Sequence, residues 1–66
     1  MAVARVTEIS STSPESFEAA LKEGVARATQ TLRNVQSVWI KEQQANVENN
    51  EIVNYQVNML VTFVLE

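Results

Sequence analysis

The period of the apolar residues changes along the chain, and each change marks an element. From Ala2 to Ile9 the residues are rich in Val, Ile and Thr, which predicts a first strand. Ser10-Ser11-Thr12-Ser13-Pro14 breaks that pattern. Ser13 ahead of Pro14 suits a helix N-cap with proline at the first helical position, where its missing N–H removes no intrahelical bond. Thr12 to Glu15 alternatively has the spacing of a capping box. From Pro14 to about Arg33, Phe17, Leu21, Val25, Ala28 and Leu32 recur at steps of four, four, three and four, which places them on one helical stripe. Glu15 and Glu18 sit in its first turns, where the helix dipole favours negative charge. Gly24 lies beside the stripe. A helical glycine costs about 1 kcal/mol relative to alanine, so a strand is expected to pack closely there.

Asn34 reads as the helix terminator. Val35 to Val47 and Ile52 to Leu65 then return to a period of two, predicting two antiparallel strands joined by the polar loop Glu48-Asn49-Asn50-Glu51. In the last strand Val53, Tyr55, Val57, Met59, Val61, Phe63 and Leu65 share the face that must lie under the helix. Asn54, Gln56, Asn58, Leu60, Thr62 and Val64 share the other. In the strand before it Val38 and Ile40 read as core-facing, and Ser37, Trp39, Lys41 and Gln43 as far-face residues. The expected fold is α+β: a single β-α-β-β domain over residues 1–66, with a three-stranded antiparallel sheet wrapped around one helix.

Element lengths create a shortage of cover. A helix of 20 residues spans ~30 Å and a strand of 14 residues roughly 46 Å. The far face, with Trp39, Leu60 and Val64, has no second layer within the chain, and the outer strands leave long unpaired edges. Self-association through the far face and the strand ends is the expected remedy.

Composition points the same way. The chain has 66 residues, and a chain of this size buries only about 60% of the surface its unfolded form exposes. Small folds compensate with disulfides, metals or assembly. There is no cysteine and no histidine, which removes disulfides, thiolate or imidazole metal sites, Ser-His-Asp triads and cysteine nucleophiles. A binding or scaffolding module, not an enzyme, is expected. The net charge is −3, and Arg5, Lys22, Arg27, Arg33 and Lys41 are scattered, which argues against a nucleic-acid partner. No stretch of 18 apolar residues and no apolar leader are apparent, so neither a membrane span nor a signal peptide is expected, and the expected location is cytoplasmic.

The chain resembles the dodecins. The resemblance runs through Val6-Thr7-Glu8-Ile9, Thr12-Ser13-Pro14-Glu15-Ser16-Phe17, Ala26-Arg27-Ala28, Thr31-Leu32-Arg33, Tyr55-Gln56-Val57 and Val61-Thr62-Phe63. It implies a hollow homododecamer of tetrahedral symmetry, helices outside and sheets inside, which stores or sequesters a flavin (riboflavin, FMN or FAD). In flavin-binding dodecins a tryptophan of the second strand stacks on the isoalloxazine ring. A glutamine directly after the last strand's tyrosine bonds the ring's polar edge. Gln56 follows Tyr55 and matches that glutamine. The tryptophan position falls at Ser37, and the tryptophan of this chain is Trp39. A two-residue step keeps the same face and moves the side chain about 6–7 Å along the strand. Gln56, Trp39 and Ser37 are therefore the candidate flavin-binding residues. The alternative is a dodecin-like shell that binds no flavin and acts as a scaffold, or holds another small ligand or a metal ion. Glutamates gathered across symmetry axes would offer Mg²⁺ or Ca²⁺ the oxygen ligands they take.

Overall fold

The computed structural model describes residues 3–65; the expected strand start at Ala2 lies outside them. The elements are β1 (Val3–Ser13), α1 (Phe17–Thr31), β2 (Val35–Glu48) and β3 (Glu51–Leu65). The sheet is antiparallel in the order β1-β3-β2. This is the expected β-α-β-β arrangement. The most apolar strand, β3, takes the centre, where both its edges find partners.

Three boundaries differ from the sequence expectation. β1 does not stop at Ile9: Ser10, Ser11, Thr12 and Ser13 continue it, pairing with Asn58, Val57, Gln56 and Tyr55. The polar residues stay extended because β3 supplies their ladder partners, and Ser13 is buried. The helix starts at Phe17 with Ser16 as N-cap, whose Oγ accepts from the Ala19 N–H at 2.9 Å. Ser13 instead closes a short turn, its Oγ accepting from the Glu15 N–H at 3.1 Å. The expected four-residue loop is a two-residue turn, because Glu48 pairs with Glu51. Asn49 and Asn50 both have positive φ, 51° and 64°. That is the type I′ geometry that matches the twist of a hairpin and that asparagine tolerates well.

The core is thin. Ala20, Ala28, Val57, Met59 and Val61 are its buried apolar residues, with Phe17, Leu21, Val25, Leu32 and Val38 packed around them. The helix meets the sheet along its small residues Ala20, Gly24 and Ala28, all buried. The larger stripe residues flank that seam. A β-carbon at Gly24 would stand 2.7 Å from Met59 Cε and 3.1 Å from Ser11 Cβ, so the close approach expected at this glycine is present. Phe17 meets Tyr55 edge to face, with ring centroids 5.0 Å apart.

One 15-residue helix lies across strands of 11, 14 and 15 residues. Ile40 faces the helix side opposite Met59 yet is 42% exposed, since the helix sits over β1 and β3. Val53 and Leu65, expected in the core, are 40% and 47% exposed at the ends of the ribbon. The chain extends 51 × 19 × 13 Å, with a radius of gyration of 13.6 Å against about 11 Å for a compact chain of this length. It exposes 4990 Å², where a compact monomer of this mass exposes about 4,200 Å². The excess is close to the ~800 Å² that one partner contributes to a standard interface.

Candidate functional site

The far face of the sheet, away from α1, is built by rows that cross all three strands. Cross-strand partners share a face. Val6–Thr62–Ser37, Glu8–Leu60–Trp39, Ser10–Asn58–Glu42 and Thr12–Gln56–Gln44 are therefore four successive rows of it. Trp39, Gln56 and Ser37 all lie on this face, as expected. Gln43 does not. A bulge at Lys41, between Ile40 and Glu42, turns Gln43 to the helix side opposite Val57. The extra residue resets the alternation, a change that sequence parity alone does not reveal.

The face divides into two halves. Towards the C-terminal end of β3 lie Val6, Trp39, Leu60 and Val64, and Trp39 is 72% exposed. Towards the hairpin lie the amides of Asn58, Gln56, Gln44, Asn54 and Asn46. Gln44 donates to Asn46 Oδ1 at 3.0 Å, and Asn46 donates to Asn54 Oδ1 at 2.5 Å. Between the halves, Lys41 reaches across β3 to both carboxylate oxygens of Glu8, each at 3.4 Å. Both side chains are half exposed, so the pair contributes only about 0–1 kcal/mol.

Gln56 is well anchored. Its Nε2 donates to Ser10 Oγ at 3.1 Å and to Asn58 Oδ1 at 3.3 Å, and Asn58 Nδ2 donates to Glu42 Oε1 at 3.1 Å. Both Nε2 hydrogens are thus used, and among the described residues nothing donates to Gln56 Oε1. Asn58 lies on the far face as the alternation of β3 predicts, and Ser10 and Glu42, which no sequence motif marks, complete the network around Gln56. The step of two from Gln56 to Asn58 was visible; the placing of Glu42 depends on the bulge.

One chain does not bring the candidates together. Trp39 stands opposite Leu60 and Ser37 opposite Thr62, four and six residues along β3 from Gln56. Those separations are roughly 13 and 20 Å. Trp39 is the nearer of the two. A cleft of about 310 Å³ opens elsewhere, between Ser11 and Thr12 of β1 and Glu23, Gly24 and Arg27 of α1. It holds none of the candidate residues and no aromatic platform, so the far face is the better site chemically.

The family described as Dodecin matches residues 3–66. The chain belongs to the dodecin family. Solved dodecins superpose on it over nearly its whole length. The dodecin from Streptomyces davaonensis is 37% identical with a TM-score of 0.92, covering 98% of this chain and 96% of that one. A T. thermophilus dodecin with a tryptophan-to-phenylalanine substitution is 35% identical with a TM-score of 0.92, covering 100% of this chain and 98% of that one. The calcium-chelating immunodominant antigen of Mycobacterium tuberculosis, a calcium dodecin, is 30% identical with a TM-score of 0.85, covering 97% and 91%. No curated protein matches the sequence. No helix among the described residues is long and apolar enough to cross a membrane.

Proposed function

We propose that this dodecin is a cytoplasmic flavin store, a hollow homododecamer that binds riboflavin, FMN or FAD between far faces of neighbouring copies. It holds the flavin without catalysing a reaction. The observation that carries the reading is the division of the far face. An exposed indole on its apolar half and an anchored amide with an open acceptor on its polar half match a flat ring that is apolar at one end and polar at the other. Trp39 supplies the platform, two residues from the family's position at Ser37. Ring stacking adds about 0.5–1.5 kcal/mol beyond the area buried. Gln56 Oε1 accepts from the imide N–H of the ring. Ser37 lines the entry and stacks nothing. An electron-rich indole against the ring also drains its excited state, which keeps a stored flavin dark.

Assembly fits the reading, because the large exposed area and the uncovered strand ends leave apolar surface for neighbours to cover. Light scattering on the purified chain is expected to give a mass near twelve times 7.4 kDa, with a flavin absorbance band retained through purification or restored by added riboflavin. A monomer mass at micromolar concentration would sink the assembly. The calcium dodecin gives a divalent-ion role some support by likeness. In this chain, however, Glu8 is paired with Lys41 and Glu42 with Asn58, and no three acidic groups gather among the described residues. An ion shared across copies would need carboxylates from several of them.

A further inference from the structure

We propose that Glu42 is a positioning residue that sets which way the Gln56 amide faces, and so makes this site select a ligand edge that donates a hydrogen bond. The proposal rests on the flavin reading for its ligand, but its structural half stands alone. An amide side chain can present either its oxygen or its nitrogen, and only its partners decide between them. Ser10 cannot decide, because a hydroxyl both donates and accepts. An ionised carboxylate can, because it only accepts. Glu42 Oε1 therefore takes the Asn58 Nδ2 hydrogen at 3.1 Å. Asn58 is then left to face Gln56 with its oxygen, which fixes Gln56 Nε2 towards Asn58 at 3.3 Å. The second Nε2 hydrogen goes to Ser10 at 3.1 Å. Gln56 Oε1 alone remains for a ligand. The flavin imide N3–H, flanked by two carbonyls, is the donor on that ring's polar edge.

The bulge at Lys41 creates this arrangement. Ile40 pairs with Met59, so an unbroken ladder would place Lys41 opposite Asn58. An ammonium only donates. It would draw the Asn58 oxygen towards itself, turn the Asn58 nitrogen towards Gln56, and present Gln56 Nε2 outward. The inserted residue replaces that donor with an acceptor, and the displaced lysine pairs with Glu8. The order of two amides is thus traceable to one extra residue in β2.

Two measurements on the full assembly test this. Neutron diffraction of the ligand-free protein reads the amide hydrogens directly. Deuterium on the Gln56 atom facing Asn58 is expected; an oxygen there overturns the proposal whether or not flavin binds. The second measurement titrates riboflavin and N3-methylriboflavin into the wild type and Glu42→Gln, following flavin fluorescence. The wild type is expected to prefer riboflavin at least tenfold. Glu42→Gln keeps the size and can itself donate, so the preference should shrink below about threefold, with binding of the methylated ring unchanged or improved. An equal preference in both proteins overturns the positioning role. If the wild type binds neither ring, the flavin reading fails, and the neutron result alone decides the amide order.

Discussion

Trp39→Ala is expected to weaken riboflavin binding by about five- to 150-fold, the span of the ~1–3 kcal/mol that a base stacked on an aromatic side chain loses on alanine substitution. It should also abolish most of the quenching of flavin emission. Trp39 is 72% exposed in the single chain and belongs to no part of the chain's own core. The variant should therefore fold as well as the wild type. Trp39→Phe separates the two roles of the indole: a benzene ring still stacks, so affinity should fall only several-fold, but it is a poorer electron donor, so quenching should fall further. Scattering mass distinguishes this reading from its rival. If Trp39→Ala breaks the assembly apart, Trp39 is a subunit contact. If the variant binds riboflavin as tightly as the wild type, the indole is no platform.

Gly24→Val should lose the folded assembly. A β-carbon at this position meets Met59 Cε at 2.7 Å, Met59 Sδ at 3.2 Å and Ser11 Cβ at 3.1 Å. Met59 is wholly buried and cannot swing into solvent. Gly24→Ala sets about 1 kcal/mol of regained helix propensity against an overpacking cost of about 1–3 kcal/mol, so a modest net loss is expected. Valine adds two methyl groups and a stiff χ1 in the same space, a cost of about 3 kcal/mol or more. That is a large fraction of the stability of any small domain. Thermal unfolding followed by circular dichroism checks both variants. A Gly24→Val melting temperature equal to the wild type's would mean that the helix does not seat on Met59 as described.

Much of this fold is written in the alternation of β3. Residues Val53 to Leu65 divide cleanly into two faces, and that division alone places Gln56 away from the core. The acidic and asparagine residues of the hairpin were equally readable as a turn. What the pattern concealed has physical reasons. Ser10 to Ser13 form strand with no apolar signature, because the neighbouring strand supplies the ladder that their own side chains do not advertise. The helix contacts the sheet through Ala20, Gly24 and Ala28, small residues that carry little hydrophobic signal, so the stripe of larger residues looked like the centre when it is the flank. The helix cap sits at Ser16 although Ser13 stands before a proline, since both serines satisfy a backbone N–H and only tertiary packing chooses between them.

The site divides the same way. That Trp39 and Gln56 share a face followed from counting in twos. That Glu42 and Gln44 join them and Gln43 leaves depends on a bulge, and a bulge has no signature here apart from its outcome in the ladder. The separation of Trp39 from Gln56, four residues along β3, required the register.

The central claim is that a flavin lies against Trp39, and titrating riboflavin into the purified assembly tests it most directly. Trp39 is the only tryptophan of the chain, so its emission reports the platform while flavin emission reports the ligand. Both are expected to fall together and to saturate at no more than one flavin per chain. Unchanged emission from both at high micromolar protein would contradict the account.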